Sequence, residues 1–529
     1  MRFLGPLVLL GALVLAGCGK QEKSTPPNII FIMSDDHAYQ AISAYGSTFI
    51  ETPHIDRIAG EGVRFDRAFV TNSICGPSRA VILTGKFSHV NGFLNNHSRF
   101  DASQMTFPKL LRKNGYKTAV VGKWHLGSDP TGFDFWRILY GQGVYYNPDF
   151  KSPQGTVKTT GYVSDVITDM AIDWIDSLKQ GQPFMLMYHH KASHREWSPP
   201  PRYLGYYIDK AIPEPATLFD DYANRGRAAK EAEMRIREHM GLPIDNKIRP
   251  AIAESLGFSY HEPWFGKSYL ENMSHLNAEE KAAWEKVYGP INEEFRQNTP
   301  AGDDLVRWKY RRYMEDYLAT TKSIDDNIGR LLAYLDEKGL SENTLVIYTS
   351  DQGFFLGEHG WFDKRFMYEE SFRTPLVMRW PARIGAGQTS ADLVQNLDIA
   401  QTILDAAGVA APPEMQGRSL LPLTRGEREQ WRDAVYYHYY QFPSIHMVKR
   451  HYGVRTERYK LIHFYYDIDE WELYDLEKDP QEMNNVYEDP AYGEIREQLM
   501  EKLHELQAQY QDGDSLATAI LERDLGKED

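Results

Sequence analysis

The sequence contains few cysteines, no excess of positive charge and only one long apolar run. Its 529 residues include two cysteines, Cys18 and Cys75, which excludes a framework of several disulfide bonds. Lys and Arg number 59 against 74 Asp and Glu, and this balance argues against a nucleic-acid partner. Internal repeats and low-complexity blocks are also absent. Because 42% of its residues are hydrophobic and 13% are aromatic, the chain can bury a large core and form one big domain with a smaller one.

The apolar run lies at the N-terminus, where residues 1–17 have the form of an export signal. A basic residue precedes an apolar stretch that is too short to span a membrane, and Leu15-Ala16-Gly17-Cys18 follows it. This pattern resembles a bacterial lipoprotein signal, in which Cys18 would be lipidated and residues 18–27 would form a polar tether. We therefore expect an exported bacterial lipoprotein, anchored to a membrane and facing the periplasm or the cell surface. Ordinary secretory cleavage near Ala16 is the alternative.

Two distant segments share one pattern, a short apolar, β-branched run that ends in Ser-Asp. The segments are residues 28–34, followed by Asp35-Asp36, and residues 344–350, followed by Asp351-Gln352. Such runs suit strands buried on both faces of a parallel sheet, and ligands in these sheets bind beyond the carboxyl ends of the strands. With helical patterns between the strands, this predicts an α/β fold: a large central sheet, mixed but mostly parallel, flanked by helices.

The predicted organisation is a main domain over residues 28–425 and a smaller C-terminal α+β subdomain over residues 426–529. In the main domain we predict strands at residues 118–121, 184–188 and 376–379, a long helix at 303–338, and an insertion or lid at 195–300 with a helical piece at 228–240. In the C-terminal subdomain we predict short aromatic strands at residues 434–440, 452–455, 459–466 and 471–474, and a final helix at 494–509, which by themselves indicate only an α+β module.

The acids at the two predicted strand ends indicate a metal site. Asp35, Asp36 and Asp351 would meet at one edge of the sheet, where three carboxylates repel each other unless a cation is present. Oxygen-only ligation suits Ca²⁺, or Mg²⁺, better than zinc. For any one of these acids alone, a solvated turn or a helix cap is the ordinary interpretation.

Cys75 is left without a disulfide partner once Cys18 is used as the anchor. It begins the run Cys75-Gly76-Pro77-Ser78-Arg79, in which Pro77 suits the first turn of a helix. The cysteine would therefore lie at a helix N-terminus, where the helix dipole and Arg79 favour an anion. From this argument alone, a chemically used thiol and an inert buried one remain equally open.

The wider spacing, Cys75-x-Pro77-Ser78-Arg79-x-x-x-Leu83-Thr84-Gly85, resembles the first signature of the type I sulfatases of the alkaline phosphatase superfamily. A second run, from Gly115 to Lys123-Trp124-His125, is similar to the family's other signature. The resemblance implies an alkaline-phosphatase-like fold with residues 28–425 as the catalytic domain and an antiparallel sheet in the smaller C-terminal subdomain. It also implies that a maturation enzyme oxidises Cys75 to formylglycine (3-oxoalanine), whose hydrated aldehyde is the nucleophile.

The resemblance further implies a role for each site residue. The metal ligands would be Asp35, Asp36, the residue derived from Cys75, Asp351 and Gln352, the last standing where Asn or His is more usual. Sulfate would be held by Arg79, Lys123, Lys364 and His194. His194 would also protonate the departing alcohol, and His125 would deprotonate the second hydroxyl of the nucleophile. Weaker candidates for contacts with a sugar are His359, Arg365, His446 and Arg455.

The expected function is a sulfatase that hydrolyses sulfate esters of carbohydrates, such as glycosaminoglycan, mucin or algal glycan fragments. A 6-O-sulfated hexosamine or galactose is the favoured substrate. A phosphonate or phosphodiester hydrolase of the same superfamily is one alternative, since a metal, formylglycine and lysines suit phosphoryl groups as well. From another class, a non-catalytic glycan-binding module would result if Cys75 stayed a thiol.

Overall fold

The computed structural model describes residues 26–259, 262, 264–513, 516 and 519. The predicted signal, Cys18 and nearly all of the predicted tether lie outside the described residues. Within the described part, no helix has the length and apolar character needed to cross a lipid bilayer.

The strands are short and mostly buried. They are β1 (Asn28–Ser34), β2 (Val63–Phe65), β3 (Ala68–Phe69), β4 (Lys117–Gly122), β5 (Phe135–Leu139), β6 (Asp149–Ser152), β7 (Gly155–Lys158), β8 (Phe184–His189), β9 (Thr344–Ser350), β10 (Phe355–Leu356), β11 (Phe362–Asp363), β12 (Leu376–Arg379), β13 (Gln388–Ser390), β14 (Val394–Gln395), β15 (Ala434–Tyr439), β16 (His451–Thr456), β17 (Tyr459–Phe464) and β18 (Glu470–Asp475).

The α-helices range from single turns to one long helix that crosses the back of the main sheet. They are α1 (Pro53–Gly60), α2 (Cys75–Thr84), α3 (Ser88–Asn91), α4 (Phe107–Lys113), α5 (Val163–Asp176), α6 (Arg227–Glu231), α7 (Leu242–Asn246), α8 (Pro250–Ser255), α9 (Trp264–His275), α10 (Ala278–Gln297), α11 (Gly302–Glu337), α12 (Glu369–Phe372), α13 (Ile399–Ala406), α14 (Leu421–Thr424) and α15 (Gly493–Tyr510).

The main sheet has ten strands in the order β13-β2-β12-β9-β1-β8-β4-β5-β6-β7. Its centre, β9-β1-β8-β4-β5, is entirely parallel. The apolar side chains of β1 alternate between two cores, because Phe31 packs on one face and Ile32 on the other. Helices α2, α4 and α13 cover the first face, and α1, α5 and α11 cover the second. The predicted mostly parallel α/β sheet and its strands are confirmed.

The C-terminal region forms the predicted antiparallel sheet, β15-β16-β17-β18, with α15 packed on it. Its apolar face contacts the main domain, since Val81 of α2 and Phe87 share one core with Tyr436, Val454 and Leu503. The helix that begins at Cys75 is therefore held from both domains.

One predicted element differs from the structure. Residues 228–240 carry a helical pattern, but the helix ends at Glu231 and the chain then turns. The reason is a competing backbone contact: the amide of Phe362 donates to the carbonyl of Met234 at 3.0 Å, and Arg235 pairs with Trp361 in an isolated antiparallel bridge. Tertiary pairing overrides local helical propensity here.

A buried ion pair gives a test of how the two domains are joined. Arg432 donates to both carboxylate oxygens of Asp398 at 2.5 and 2.6 Å, and their side chains are 5% and 0% exposed. Arg432→Met should lower the free energy of unfolding by about 3–5 kcal/mol, because it leaves the carboxylate buried without its cation. Arg428 pairs with Asp392 but is 50% exposed, so Arg428→Met should cost at most about 1 kcal/mol.

Denaturant titration of both variants measures the difference. Equal losses in the two variants would contradict the distinction between the buried and the exposed pair.

Candidate active site

The site lies where four parallel strands, β4, β8, β1 and β9, end at one edge of the sheet. The register pairs Ser34 of β1 with Ser350 of β9, so the next residues, Asp35 and Asp351, are neighbours. Lys123 follows β4 directly, and a short loop after β8 carries His194. Sheet register therefore brings together residues that are more than 300 positions apart in sequence.

Asp35, Asp36 and Asp351 form a buried carboxylate cluster. One oxygen from each lies within 4.8 Å of the others, and all three residues are 0% exposed. Burial, together with the neighbouring carboxylates, raises the pKa of Asp36 and of Asp351 to about 6. Burial acts in the same direction on Asp35, but Lys123 and His194 outweigh it and hold the pKa of Asp35 well below its ordinary value. Such mutual destabilisation of carboxylates is what a bound cation relieves.

Two buried oxygens at this edge fit a divalent metal. Oδ1 of Asp35 and Oε1 of Gln352 have no hydrogen-bond partner among the described residues. The amide nitrogen of Gln352 donates to Oδ1 of Asp36, which leaves its carbonyl oxygen free as a donor atom. Carboxylate and amide oxygens are the ligands that Ca²⁺ and Mg²⁺ prefer.

Cys75 is the first residue of α2 and lies beside the carboxylate cluster. Its Sγ, one oxygen of Asp35 and one ring nitrogen of His194 are within 4.8 Å of one another. Burial raises the pKa of the Cys75 thiol to about 12, although Lys364 and Lys123 oppose the shift. The helix-start argument left a used thiol and an inert one equally open, and burial now disfavours the thiolate form. A thiol with this pKa is protonated near neutral pH and is a weak nucleophile.

Arg79 and Lys364 hold the cluster from two sides. Nε of Arg79 donates to Oδ2 of Asp351 at 2.9 Å, and its Nη1 donates to the backbone carbonyl of Lys123, also at 2.9 Å. Nζ of Lys364 lies 2.6 and 2.7 Å from the two carboxylate oxygens of Asp36. Both cations are buried and are therefore fixed in position before any ligand enters.

Lys123 is also buried, and its Nζ donates to Oδ2 of Asp35 and to Oε1 of Gln142. Gln142 was not predicted, because it lies in a loop outside both signatures. Its carbonyl oxygen orients the ammonium group between the carboxylate cluster and the cavity that Gln142 itself lines.

The two predicted catalytic histidines have distinct surroundings. Nδ1 of His194 bonds the backbone carbonyl of Arg195; because a carbonyl only accepts, Nδ1 carries the proton and Nε2 faces the site, 3.9 Å from Asp36. Nδ1 of His125 is buried without a hydrogen-bond partner among the described residues. Burial, and next Lys123, hold the pKa of both imidazoles well below the ordinary value.

A cavity of about 430 Å³ opens above Cys75, His194 and Lys364. The predicted sugar contacts Arg365 and His446 line it, and Asp363 joins them. The guanidinium of Arg365 donates to Oδ1 of Asp363, and Nε2 of His446 lies 3.3 Å from Oδ2. Asp363 was not predicted; only its position directly before Lys364 could have suggested it.

Two predicted sugar contacts are corrected by the structure. His359 is fully buried and does not line the cavity; its Nδ1 lies 2.8 Å from Arg225 and 3.1 Å from Asp220. The side chain of Arg455 is 7% exposed and reaches Glu369 at 3.4 Å. Arg455 lies in the buried contact between the main domain and the C-terminal sheet, where it pairs with Glu369. His359 packs inside the main domain, where burial holds its pKa well below the ordinary value.

Comparison with known proteins identifies the family. A family model described as Sulfatase matches residues 27–409, which is more than half of the chain. The chain belongs to the sulfatase family. It is a sulfuric ester hydrolase, and a formylglycine and a divalent metal are typical of this family. A second model, described as N-sulphoglucosamine sulphohydrolase, C-terminal, matches residues 357–509.

Relatives within the sulfatase family include enzymes named for sulfated amino sugars. The chain is 50% identical over 516 residues to N-acetylglucosamine-6-O-sulfatase of Bacteroides thetaiotaomicron, with 96% of this chain and 91% of the relative covered. It is 28% identical over 468 residues to human N-acetylglucosamine-6-sulfatase, with 82% of this chain and 71% of the relative covered.

Solved structures agree with the sulfatase assignment. One, described as a complex with its substrate D-glucosamine-2-N,6-O-disulfate, matches with a TM-score of 0.88 and 49% identity, over 92% of this chain and 99% of that one. A putative sulfatase from Bacteroides fragilis matches with a TM-score of 0.68 and 22% identity, over 95% of this chain and 99% of that one. The second match concerns the fold alone.

Asn96 is a further site residue that sequence reasoning missed, because it lies 21 positions after the cysteine in an irregular segment. Its Oδ1 accepts the backbone N–H of Gly76 at 3.1 Å, and its own N–H donates to Oε1 of Gln441 at 3.1 Å. It therefore links the first turn of α2 to the C-terminal region. Both Asn96 and Gln441 line the cavity beside Cys75.

Asn96→Ala tests this link. Losing the acceptor at a helix N-terminus costs about 1 kcal/mol, so we expect kcat to fall about fivefold to tenfold with KM changed less than about twofold. Steady-state kinetics on a sulfate ester measures both constants. A raised KM with unchanged kcat would instead make Asn96 a substrate contact and would contradict the positioning role.

Proposed function

We propose that this sulfatase removes the 6-O-sulfate of glucosamine residues in glycosaminoglycan fragments. The observation that carries the proposal is the convergence of Cys75, the carboxylate cluster and three buried cations beneath one cavity, which Cys75 and Lys364 line. The choice of sugar is supported by the 50% identical relative, which is named an N-acetylglucosamine-6-O-sulfatase. It is supported also by the matching structure that is described as a complex with a 6-O-sulfated glucosamine.

The charges of the site suit a sulfate monoester. The ionised carboxylates of Asp35, Asp36 and Asp351 balance the cations Arg79, Lys123 and Lys364. A divalent metal then leaves an excess of two positive charges, which attracts the single negative charge of the ester. When bound, the metal supplies Lewis-acid stabilisation of the sulfate oxygens. The three side-chain cations hold the sulfate in place and offset the charge that develops on it.

We propose that Cys75 is converted to formylglycine, which when hydrated supplies one hydroxyl to attack sulfur and another to allow release. The high pKa of the unmodified thiol supports conversion over thiolate chemistry. Since Cys75 is 1% exposed, a maturation enzyme would have to reach it before folding is complete.

The histidines move the protons. His194 is neutral in the structure, because burial and Lys123 hold its pKa low. An entering anionic sulfate favours its protonated form, and Nε2, which faces the site, then donates a proton to the departing alcohol. His125 has a free Nδ1 that can accept the proton of the second hydroxyl.

Sugar recognition is proposed for Asp363, Arg365 and His446. Asp363 accepts from the guanidinium and lies beside the imidazole, so the three side chains form one rigid polar group on the cavity wall. The guanidinium donates and the carboxylate accepts, while Nδ1 of His446 donates to the carbonyl of Glu233 and leaves Nε2 as an acceptor. This combination suits vicinal hydroxyls, each of which both donates and accepts a hydrogen bond.

The activity test uses defined substrates. The purified, matured chain should desulfate glucosamine 6-O-sulfates and should turn over phosphonate and phosphodiester esters far more slowly. Cys75→Ala should fold normally, with turnover reduced by at least about a thousandfold because the nucleophile is missing. Chromatography of released sulfate and sugar measures both.

Two results would contradict the proposal. Phosphodiester turnover above sulfate-ester turnover would favour the rival hydrolase. A Cys75 that mass spectrometry finds unmodified in protein from the native host, with no metal bound, would favour a glycan-binding module.

Calcium is our proposal for the metal, with Mg²⁺ as the alternative. All donors in the cluster are carboxylate or amide oxygens, and Gln352 adds a longer arm that the flexible, larger coordination sphere of Ca²⁺ accommodates. The metal content of the purified protein decides between the two ions. Asp351→Asn should reduce that content, because it removes one of the buried charges.

We also propose that the chain is an exported lipoprotein anchored through Cys18. The support is the N-terminal pattern, a basic residue, a short apolar stretch and Leu15-Ala16-Gly17-Cys18. The full chain should partition into the membrane fraction of its host, and Cys18→Ser should release it. A membrane-bound Cys18→Ser variant would contradict the anchor.

A further inference from the structure

The cationic side chains at the floor and wall of the cavity are almost all paired with carboxylates. The pairs are Arg79 with Asp351, Lys123 with Asp35, Lys364 with Asp36, Arg365 with Asp363, and Arg195 with Asp245. The guanidinium of Arg195 also packs against the rings of Phe265 and Phe362, so it has both a counter-ion and aromatic contacts. Each of these cations therefore already has a counter-ion within the protein. Only the carboxylate cluster would gain from a further ion, the metal.

Lys191 is the exception among the cations that line this cavity. It is 1% exposed, and its Nζ lies 4.3 Å from the ring centroid of Tyr145. With the residues that the structure describes it forms no ion pair and no hydrogen bond through Nζ. A buried ammonium group without a counter-ion is costly, and a ligand anion in the cavity would relieve that cost.

The position of Lys191 is fixed relative to the reaction centre. The backbone N–H of His194 donates to the carbonyl of Lys191 at 3.0 Å, and the hydroxyl of Tyr145 donates to the carbonyl of His194. The ammonium group, the tyrosine ring and the catalytic imidazole therefore belong to one rigid unit. An anion bound by Lys191 has a set location beside the sulfate that reacts.

Glu196 is the acid with the largest electrostatic influence on Lys191, but among the described residues the two side chains form no ion pair. It also lines the cavity, and burial raises its pKa to about 7, while burial lowers the pKa of Lys191 to about 8. The carboxyl group of Glu196 interacts electrostatically with Lys247 as well as with Lys191. Lys247 is a second buried lysine, and its Nζ donates to the carbonyl of Ile244 at 2.8 Å. The ammonium of Lys191 thus remains available to a ligand.

We propose that Lys191 binds a second sulfate of the substrate, the N-sulfate at C2 of the glucosamine ring, and so makes the enzyme favour N-sulfated over N-acetylated glucosamine 6-O-sulfate. The inference rests on the proposed function. The reaction centre accounts for one sulfate, whereas the substrate in the matching structure carries two. An N-acetyl group is neutral and would leave the ammonium unpaired.

The test compares kcat/KM for glucosamine 2-N,6-O-disulfate and N-acetylglucosamine 6-O-sulfate. The wild-type enzyme should favour the disulfate. Lys191→Met should reduce kcat/KM about tenfold to hundredfold for the disulfate and less than about threefold for the N-acetylated sugar, as expected for the loss of one charge-assisted hydrogen bond. Lys247→Met, which removes an equally buried lysine that does not line this cavity, should leave the ratio of the two values unchanged.

Product inhibition of the wild-type enzyme gives a second measurement that does not depend on folding of a variant. Glucosamine N-sulfate should inhibit at concentrations about tenfold lower than N-acetylglucosamine. Equal inhibition by the two sugars would overturn the inference. So would an equal loss of kcat/KM on both substrates in Lys191→Met, which would mean that Lys191 only offsets the charge of the carboxylate cluster.

The inference and the proposed function fail in different ways. If the wild-type enzyme desulfates both sugars but Lys191→Met leaves their ratio unchanged, only the role of Lys191 is wrong. If it desulfates neither sugar and instead acts on another sulfate ester, the proposed substrate is wrong and the role of Lys191 falls with it.

Discussion

The structure depends on a balance of charge at one edge of a buried sheet. Three carboxylates there are held apart from water and close to each other, which is unfavourable unless cations compensate. Arg79, Lys123 and Lys364 come from three different parts of the chain to do so. The first turns of α2, the end of β4 and the loop after β11 present these three cations to the carboxylates. The cluster is preorganised and nearly neutral, so a divalent metal, which is typical of this family, would give it the positive charge that attracts an anion.

Sequence reasoning predicted the parts of the site that lie within local patterns. Apolar runs ending in acids gave β1 and β9, and their parallel pairing follows from the same pattern. The wall of the cavity was predicted only in part. Arg365 and His446 line it, whereas Gln142 and Asp363 were missed because each acts through a contact outside the local patterns, Gln142 with Lys123 and Asp363 with His446. His359 and Arg455 were expected to contact the sugar because they are polar and lie near the motifs. A polar side chain in such a position can equally take part in a buried contact within the fold.

The cavity is built by several segments, and this explains how specificity can vary on a constant reaction centre. Its floor comes from strand ends of the main sheet, whereas its walls come from the insertion, through Arg195 and Ile244, and from the C-terminal region, through Gln441 and His446. Buried ion pairs hold the residues beneath the cavity in place, whereas its walls combine loops with parts of α7 and α9. Changes in the walls can therefore alter which sugar is accepted without disturbing the metal cluster.

The large sequence separation between β1 and β9 also orders events during biosynthesis. A ribosome completes the segment with Cys75 long before it adds Asp351, and β9 is needed as the neighbour of β1 in the sheet. Until that strand arrives, the central sheet cannot close around the cysteine. The topology thus sets a time window, roughly the synthesis of the intervening chain, in which the Cys75 thiol is not yet buried by the completed sheet.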